Sequence, residues 1–145
     1  MHYFAYGSNM NLEHMRRLCG WHFQLLGMAK LLSYKFGPDS RGYANIIPAS
    51  NSQVYGVLYD LDEHCMSILD EFEGVPEVFH RVEIEVINSD GEAVKAWVYI
   101  EMPHFFGGQH IKEGYLKKVI AGAIENKLPE NWIKFLQSFT QHQIN

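Results

Sequence analysis

Two short segments carry residue types from which an active site can be built. The first is Tyr6-Gly7-Ser8-Asn9, where an apolar run turns through glycine into a polar stretch. Glycine lets backbone N–H groups come close to a ligand, and the N-terminus of a following helix favours negative charge. Such a turn suits a carboxylate or a developing oxyanion. It equally suits an ordinary strand-to-helix turn, because Y-G-S-N lacks the spacing of a dinucleotide or P-loop fingerprint. The second segment is Leu69-Asp70-Glu71-Phe72-Glu73-Gly74. Glu73 falls at the end of a helical pattern, where unpaired carbonyls carry partial negative charge. Asp70 and Glu71 add like charge nearby, and Phe72 and Val75 can shield the carboxyl from water. All three influences disfavour the ionised carboxylate and raise its pKa toward the range a general acid or base needs. A solvated acidic helix end has the same composition. A third set is the polar-tipped aromatics Tyr3, Tyr6, Tyr43, Tyr59 and Tyr115. Such residues serve packing with a hydroxyl hydrogen bond attached, or line a pocket. Ser8 is a poor nucleophile candidate, with no G-x-S-x-G elbow and no histidine placed by motif to activate it.

These residues need elements to position them. Tyr3 to Tyr6 reads as a short buried strand ended by the glycine turn. A short helix follows from about Asn11, with Leu12, Met15 and Cys19 along one side and Asn9 or Asn11 as its cap. Met28 to Phe36 reads as a second strand, broken by Gly37-Pro38-Asp39-Ser40. Ala44 to Ile47 and Val54 to Tyr59 read as two further strands, separated by a turn over Pro48 to Ser52. Leu61, Cys65, Ile68, Leu69 and Phe72 recur at helical spacing, with Asp62 as N-cap and Gly74 placed to stop the helix in a left-handed conformation. Val82, Ile84 and Val86, then Val94, Ala96, Val98 and Ile100, alternate about an Asn88-to-Gly91 turn and predict a hairpin with one wet face. Ile111 to Ile124 and Trp132 to Phe139 carry apolar helical stripes, interrupted at Leu128-Pro129. The fold class expected is α+β: a small mixed β-barrel or curved sheet covered by helices.

Composition narrows the function classes. The 145 residues fit one domain, 1–145, and 47% of them are apolar, enough for a packed core without staples. Lys and Arg number 12 against 17 Asp and Glu, a formal charge of −5 without any basic run. Nucleic acid is therefore not an expected partner, because phosphate binding needs clustered positive charge. The eight histidines (His2, His14, His22, His64, His80, His104, His110, His142) show neither H-E-x-x-H nor zinc-finger spacing, so no metal is expected. Cys19 and Cys65 form no C-x-x-C pair and read as small core residues. With no basic leader and no long apolar run, a membrane is not expected as a partner and a reducing cytoplasm is the expected location.

Taken in order, the segments resemble the gamma-glutamylcyclotransferase family. The resemblance rests on Phe4-Ala5-Tyr6-Gly7-Ser8-Asn9-Met10, on Gly56-Val57-Leu58-Tyr59 leading into Leu69-Asp70-Glu71-Phe72-Glu73-Gly74-Val75, and on Tyr115 followed by Gly122-Ala123 and Leu128-Pro129. It runs from residue 3 to about residue 136. It implies a small mixed β-barrel with flanking helices, no cofactor, and Glu73 as the catalytic acid/base. It further implies that Tyr6, Gly7, Ser8, Asn9, His80 and Tyr115 contact a small gamma-glutamyl substrate, cyclised to 5-oxoproline with release of an amine or amino acid. A monomer or homodimer is expected. One departure stands out: family members often carry a substrate-contacting tyrosine seven positions after the glutamate, and this chain has His80. Three other readings share these residues. They are a gamma-glutamylamine cyclotransferase with a different leaving group, a non-catalytic module for a small carboxylate, and an anion-binding enzyme using the loop alone.

Overall fold

The computed structural model describes residues 1–75, 78–101 and 106–140, so His104 and His142 lie outside the described residues. The strands are β1 (His2–Ala5), β2 (Phe23–Pro38), β3 (Ala44–Leu61), β4 (Phe79–Asn88) and β5 (Ala93–Glu101). The helices are α1 (Leu12–Cys19), α2 (Glu63–Glu73), α3 (Glu113–Glu125) and α4 (Glu130–Gln137). The strands close into a barrel in the order β1-β3-β2-β4-β5, with β1 and β5 joined in parallel through Tyr3 and Trp97. The other pairings are antiparallel. Closure removes the unpaired edge that an open sheet would present.

Alternation tells which side chains fill the barrel. Val86, Ala96 and Val98 are fully buried, whereas Glu83, Glu85 and Lys95 on the opposite face of the same hairpin stay wet. Phe4, Leu31 and Val54 join the interior set, all 1% exposed or less. Burying each such side chain contributes roughly 1.5–3 kcal/mol. The opposite face becomes dry only where helices cover it. There Tyr3 stacks on Tyr59 and meets Tyr99 edge-on, with centroids 6.1 and 5.6 Å apart. The site lies on this covered end.

Two expectations are corrected. Ala44 to Tyr59 is not two strands about a turn but one, β3, running through Pro48. Tyr34 pairs with Pro48 and Leu32 with Gln53, so Ser33 alone faces the segment 49–52. The extra length is absorbed as a bulge, with Ser33 and Asn51 at positive φ (66° and 61°). The second correction concerns the cysteines. Both are buried, as core residues would be, yet they are joined in a disulfide between α1 and α2 with Cα atoms 5.1 Å apart. A separation of 46 residues carries no local signal of pairing.

Candidate active site

Glu73 is positioned by the way α2 starts, packs and stops. Asp62 caps the helix by accepting from the Cys65 amide at 2.8 Å. Cys65, Met66 and Leu69 anchor its inner face. Gly74 ends it at φ 74°, ψ 38°, a left-handed conformation that costs a side chain about 1 kcal/mol but suits glycine. That stop leaves the Glu73 carboxyl facing the first segment. Asn9 Nδ2 donates to Glu73 Oε2 at 3.1 Å and to the Tyr3 hydroxyl at 2.8 Å. Asn9 is itself 3% exposed, and its carbonyl accepts from the Tyr59 hydroxyl at 2.8 Å. The two segments picked out in the sequence therefore touch across 64 positions.

Burial pushes the Glu73 carboxyl up to about 7, while the Asn9 hydrogen bond and the more distant Arg41 charge pull it part of the way back. Burial, rather than neighbouring acids, is the cause. Asp70 is engaged elsewhere, accepting from the Tyr99 hydroxyl at 2.6 Å and pairing with Arg81 at 3.3 Å.

The Y-G-S-N turn is a single 3-10 turn, Ser8–Met10, with Asn11 as the cap of α1. Its glycine is required by a close approach. A Cβ on Gly7 would stand 2.5 Å from the Tyr115 hydroxyl. Burial and Glu73 hold the Tyr115 phenol well above the usual tyrosine range, while the Ser8 and Ala44 amides directed at its oxygen oppose this. Tyr43 meets the Tyr115 ring edge-on, centroids 5.1 Å apart. The Tyr6 hydroxyl is committed to the Tyr99 carbonyl at 2.6 Å, so Tyr6 is a wall rather than a free donor.

Two cavities meet at this point. A recess of about 30 Å³ is lined by Tyr3, Tyr6, Gly7, Ser8, Asn9, Ala44, Glu73, Phe79, Tyr99 and Tyr115. An outer chamber of about 610 Å³ shares Ser8, Glu73, Phe79 and Tyr115 and adds His14, Arg41, Tyr43, Phe72, Val78 and Lys118. At its rim Asp39 and Glu101, both with fully buried side chains, flank Arg41. Burial and Asp39 push Glu101 up to about 8, against the pull of Arg41. Burial would raise Asp39 too, but hydrogen bonds from Glu101 and the Tyr43 and Arg41 amides hold it below the carboxylate range. The cluster fixes the turn that carries Tyr43.

The structure brings together Tyr6, Gly7, Ser8, Asn9, Glu73 and Tyr115, and it does not bring His80 to them. His80 pairs with Ile100 and shares its strand face with Val82, Ile84 and Val86, the barrel side. Its neighbour Phe79 lines both cavities instead. Sequence reasoning missed Tyr99, Arg41, His14 and Lys118 as cavity residues. Tyr99 alone left a signal, because it alternates out of phase with Val98 and Ile100 on the face expected to be wet. The others are single polar residues on helices or turns, which look like solvated surface.

The chain is similar to known proteins over most of its length. Residues 3–118 match the family described as gamma-glutamyl cyclotransferase, AIG2-like. The chain is 30% identical to the gamma-glutamylcyclotransferase of Bos taurus over 149 residues, covering 94% of this chain and 77% of that one. It is 34% identical over 55 residues to gamma-glutamylaminecyclotransferase A of Danio rerio, a match spanning 37% of this chain and 34% of the relative. A solved gamma-glutamyl cyclotransferase structure shares the fold with a TM-score of 0.89 at 23% identity, over 99% of this chain and 90% of that one.

Proposed function

Because the chain belongs to the AIG2-like gamma-glutamyl cyclotransferase family, we propose that it is a cytoplasmic, single-domain enzyme that cyclises a gamma-glutamyl amide to 5-oxoproline and frees the amine. Glu73 takes a proton from the substrate's α-amine. The nitrogen attacks the γ-carbonyl carbon, closing a five-membered ring and placing negative charge on oxygen. The C–N bond to the leaving group then breaks as Glu73 returns the proton to the departing nitrogen. One carboxyl near neutrality serves both steps. Intramolecular attack needs only that the glutamyl chain be held folded, which spares much of the entropic barrier.

The observation that carries this reading is the buried Glu73 carboxyl, pushed up to about 7 and held by Asn9 of the glycine turn. Tyr115 complements it. Its hydroxyl end borders the recess beside Glu73, where it donates toward the developing oxyanion. Ser8 lines both cavities and Tyr6 backs the recess. A non-catalytic carboxylate-binding module fits less well, since an ionised Glu73 would repel its ligand. In a reducing compartment the Cys19–Cys65 disulfide would be held as a dithiol.

The test is 5-oxoproline release from a panel of gamma-glutamyl amino acids and amines, followed across pH. The expected profile of kcat/KM has an acidic limb with a midpoint near pH 7, set by Glu73. Asn9→Ala removes a hydrogen bond that favours the charged form, so its midpoint moves to higher pH. No 5-oxoproline from any member of the panel sinks the reading. A limb that stays in place in Asn9→Ala sinks the tuning role of Asn9.

A further inference from the structure

The outer chamber is far larger than the recess, and its lining mixes apolar and polar groups. Phe72, half-exposed at 51%, and Val78 are the apolar ones used here. His14 of α1 meets the Phe72 ring edge-on, centroids 5.3 Å apart, and Lys118 of α3 adds a cation. His14 Nε2 is a buried atom without a hydrogen-bond partner. Lys117 pairs with Glu113 at 3.7 Å, whereas Lys118 forms no ion pair with any described residue. Gly114, one helical turn before Lys118, keeps the chamber wide, since a Cβ there would meet nothing within 4 Å. Arg41 is committed to Asp39 and Glu101. Among the described residues lining the chamber, Glu73 is the sole carboxylate, and it sits where chamber and recess join.

We propose that Lys118, with His14 beside it, reads a carboxylate on the departing group, while Phe72 and Val78 receive that group's apolar side chain. This rests on the cyclisation reading, which places the glutamyl end by Glu73 at the recess and therefore the leaving group in the outer chamber. The residues select a gamma-glutamyl amino acid with an apolar side chain over the matching gamma-glutamyl amine. Neutral imidazole donates one hydrogen bond to the carboxylate, and the ammonium supplies the charge. Because Lys118 is solvent-exposed, the attraction is screened, and the discrimination is modest.

Gamma-glutamyl-L-leucine and gamma-glutamyl-3-methylbutylamine differ only by that carboxylate. The parent is expected to favour the leucine substrate by about fivefold to tenfold in kcat/KM, mainly through KM. Lys118→Met should remove this preference by weakening the leucine substrate and leaving the amine within about twofold, and Lys118→Arg should restore most of it. An equal loss on both substrates would mean that Lys118 holds the glutamyl carboxylate common to them, and overturns the assignment. So would a parent with no preference. If neither these two compounds nor any other member of the panel yields 5-oxoproline, the cyclisation reading fails by itself. Calorimetric binding of the same two compounds to parent and Lys118→Met then decides the Lys118 assignment, which requires the same preference in Kd and is overturned without it.

Discussion

Glu73→Gln is expected to lower kcat for 5-oxoproline formation by at least about 10³-fold, within the range that a positioned acid/base contributes. The substitution isolates proton transfer, because glutamine keeps the shape and can still accept from Asn9 Nδ2. It should also stabilise the fold at alkaline pH. The folded-state pKa of Glu73 is raised to about 7 from an ordinary 4.5. A group raised in this way favours the folded state below its unfolded pKa and loses that contribution as pH climbs through its folded one. Above pH 7 the parent therefore carries a buried charge costing up to about 3 kcal/mol, which the amide lacks. Thermal unfolding of the two proteins at pH 8 and pH 4 should show Glu73→Gln melting higher only at pH 8. Turnover close to the parent's would remove Glu73 from the chemistry. An unchanged melting difference between the two pH values would mean that its carboxyl is not held out of water.

The second large effect comes from two glycines on one helix. A Cβ on Gly122 of α3 would stand 2.7 Å from both the Met10 carbonyl carbon and the Asn11 amide nitrogen. These are backbone atoms of the turn that carries Asn9, so they cannot swing aside as a side chain can. Gly122→Ala should cost about 2–3 kcal/mol through overpacking, and lower the melting temperature by about 8 °C. Gly114→Ala, where a Cβ meets nothing, should instead raise stability by about 0.5 kcal/mol, because alanine favours helix. The same substitution eight residues apart thus has opposite signs. Melting at or above the parent's temperature for Gly122→Ala would show that α3 does not seat against the turn.

Much of this was legible in the sequence, for physical reasons. Asp62 and Gly74 bracket α2 because capping and the left-handed stop are local chemistry, and they place Glu73 at the helix end. The β4–β5 hairpin follows from side-chain alternation. That the glycine turn and Glu73 share one site was legible only as a resemblance, and their direct hydrogen bond was not read at all, since nothing local relates positions 64 residues apart. Long-range geometry also explains the misreadings. Pro48 reads as a turn, yet a bulge opposite Ser33 keeps β3 continuous. His80 sits at a numbered distance from Glu73, but strand parity decides which face it joins, and parity turns it toward the barrel. Lys118 and His14 were invisible because an isolated cation on a helix carries no pattern until a cavity forms beside it.

The shared wall between recess and chamber divides responsibility within the molecule. The recess draws Tyr3 from β1, Tyr99 from β5, Tyr6 and Asn9 from the glycine turn, and Glu73 and Tyr115 from α2 and α3. Hydrogen bonds tie Tyr6 and Asn9 to barrel residues. Phe72, Gly114 and Lys118 of the chamber lie on helices, where a change leaves the barrel core untouched. Preference for a departing group can therefore drift over generations by surface substitutions alone. A change in the recess, by contrast, would disturb hydrogen bonds that reach into the barrel.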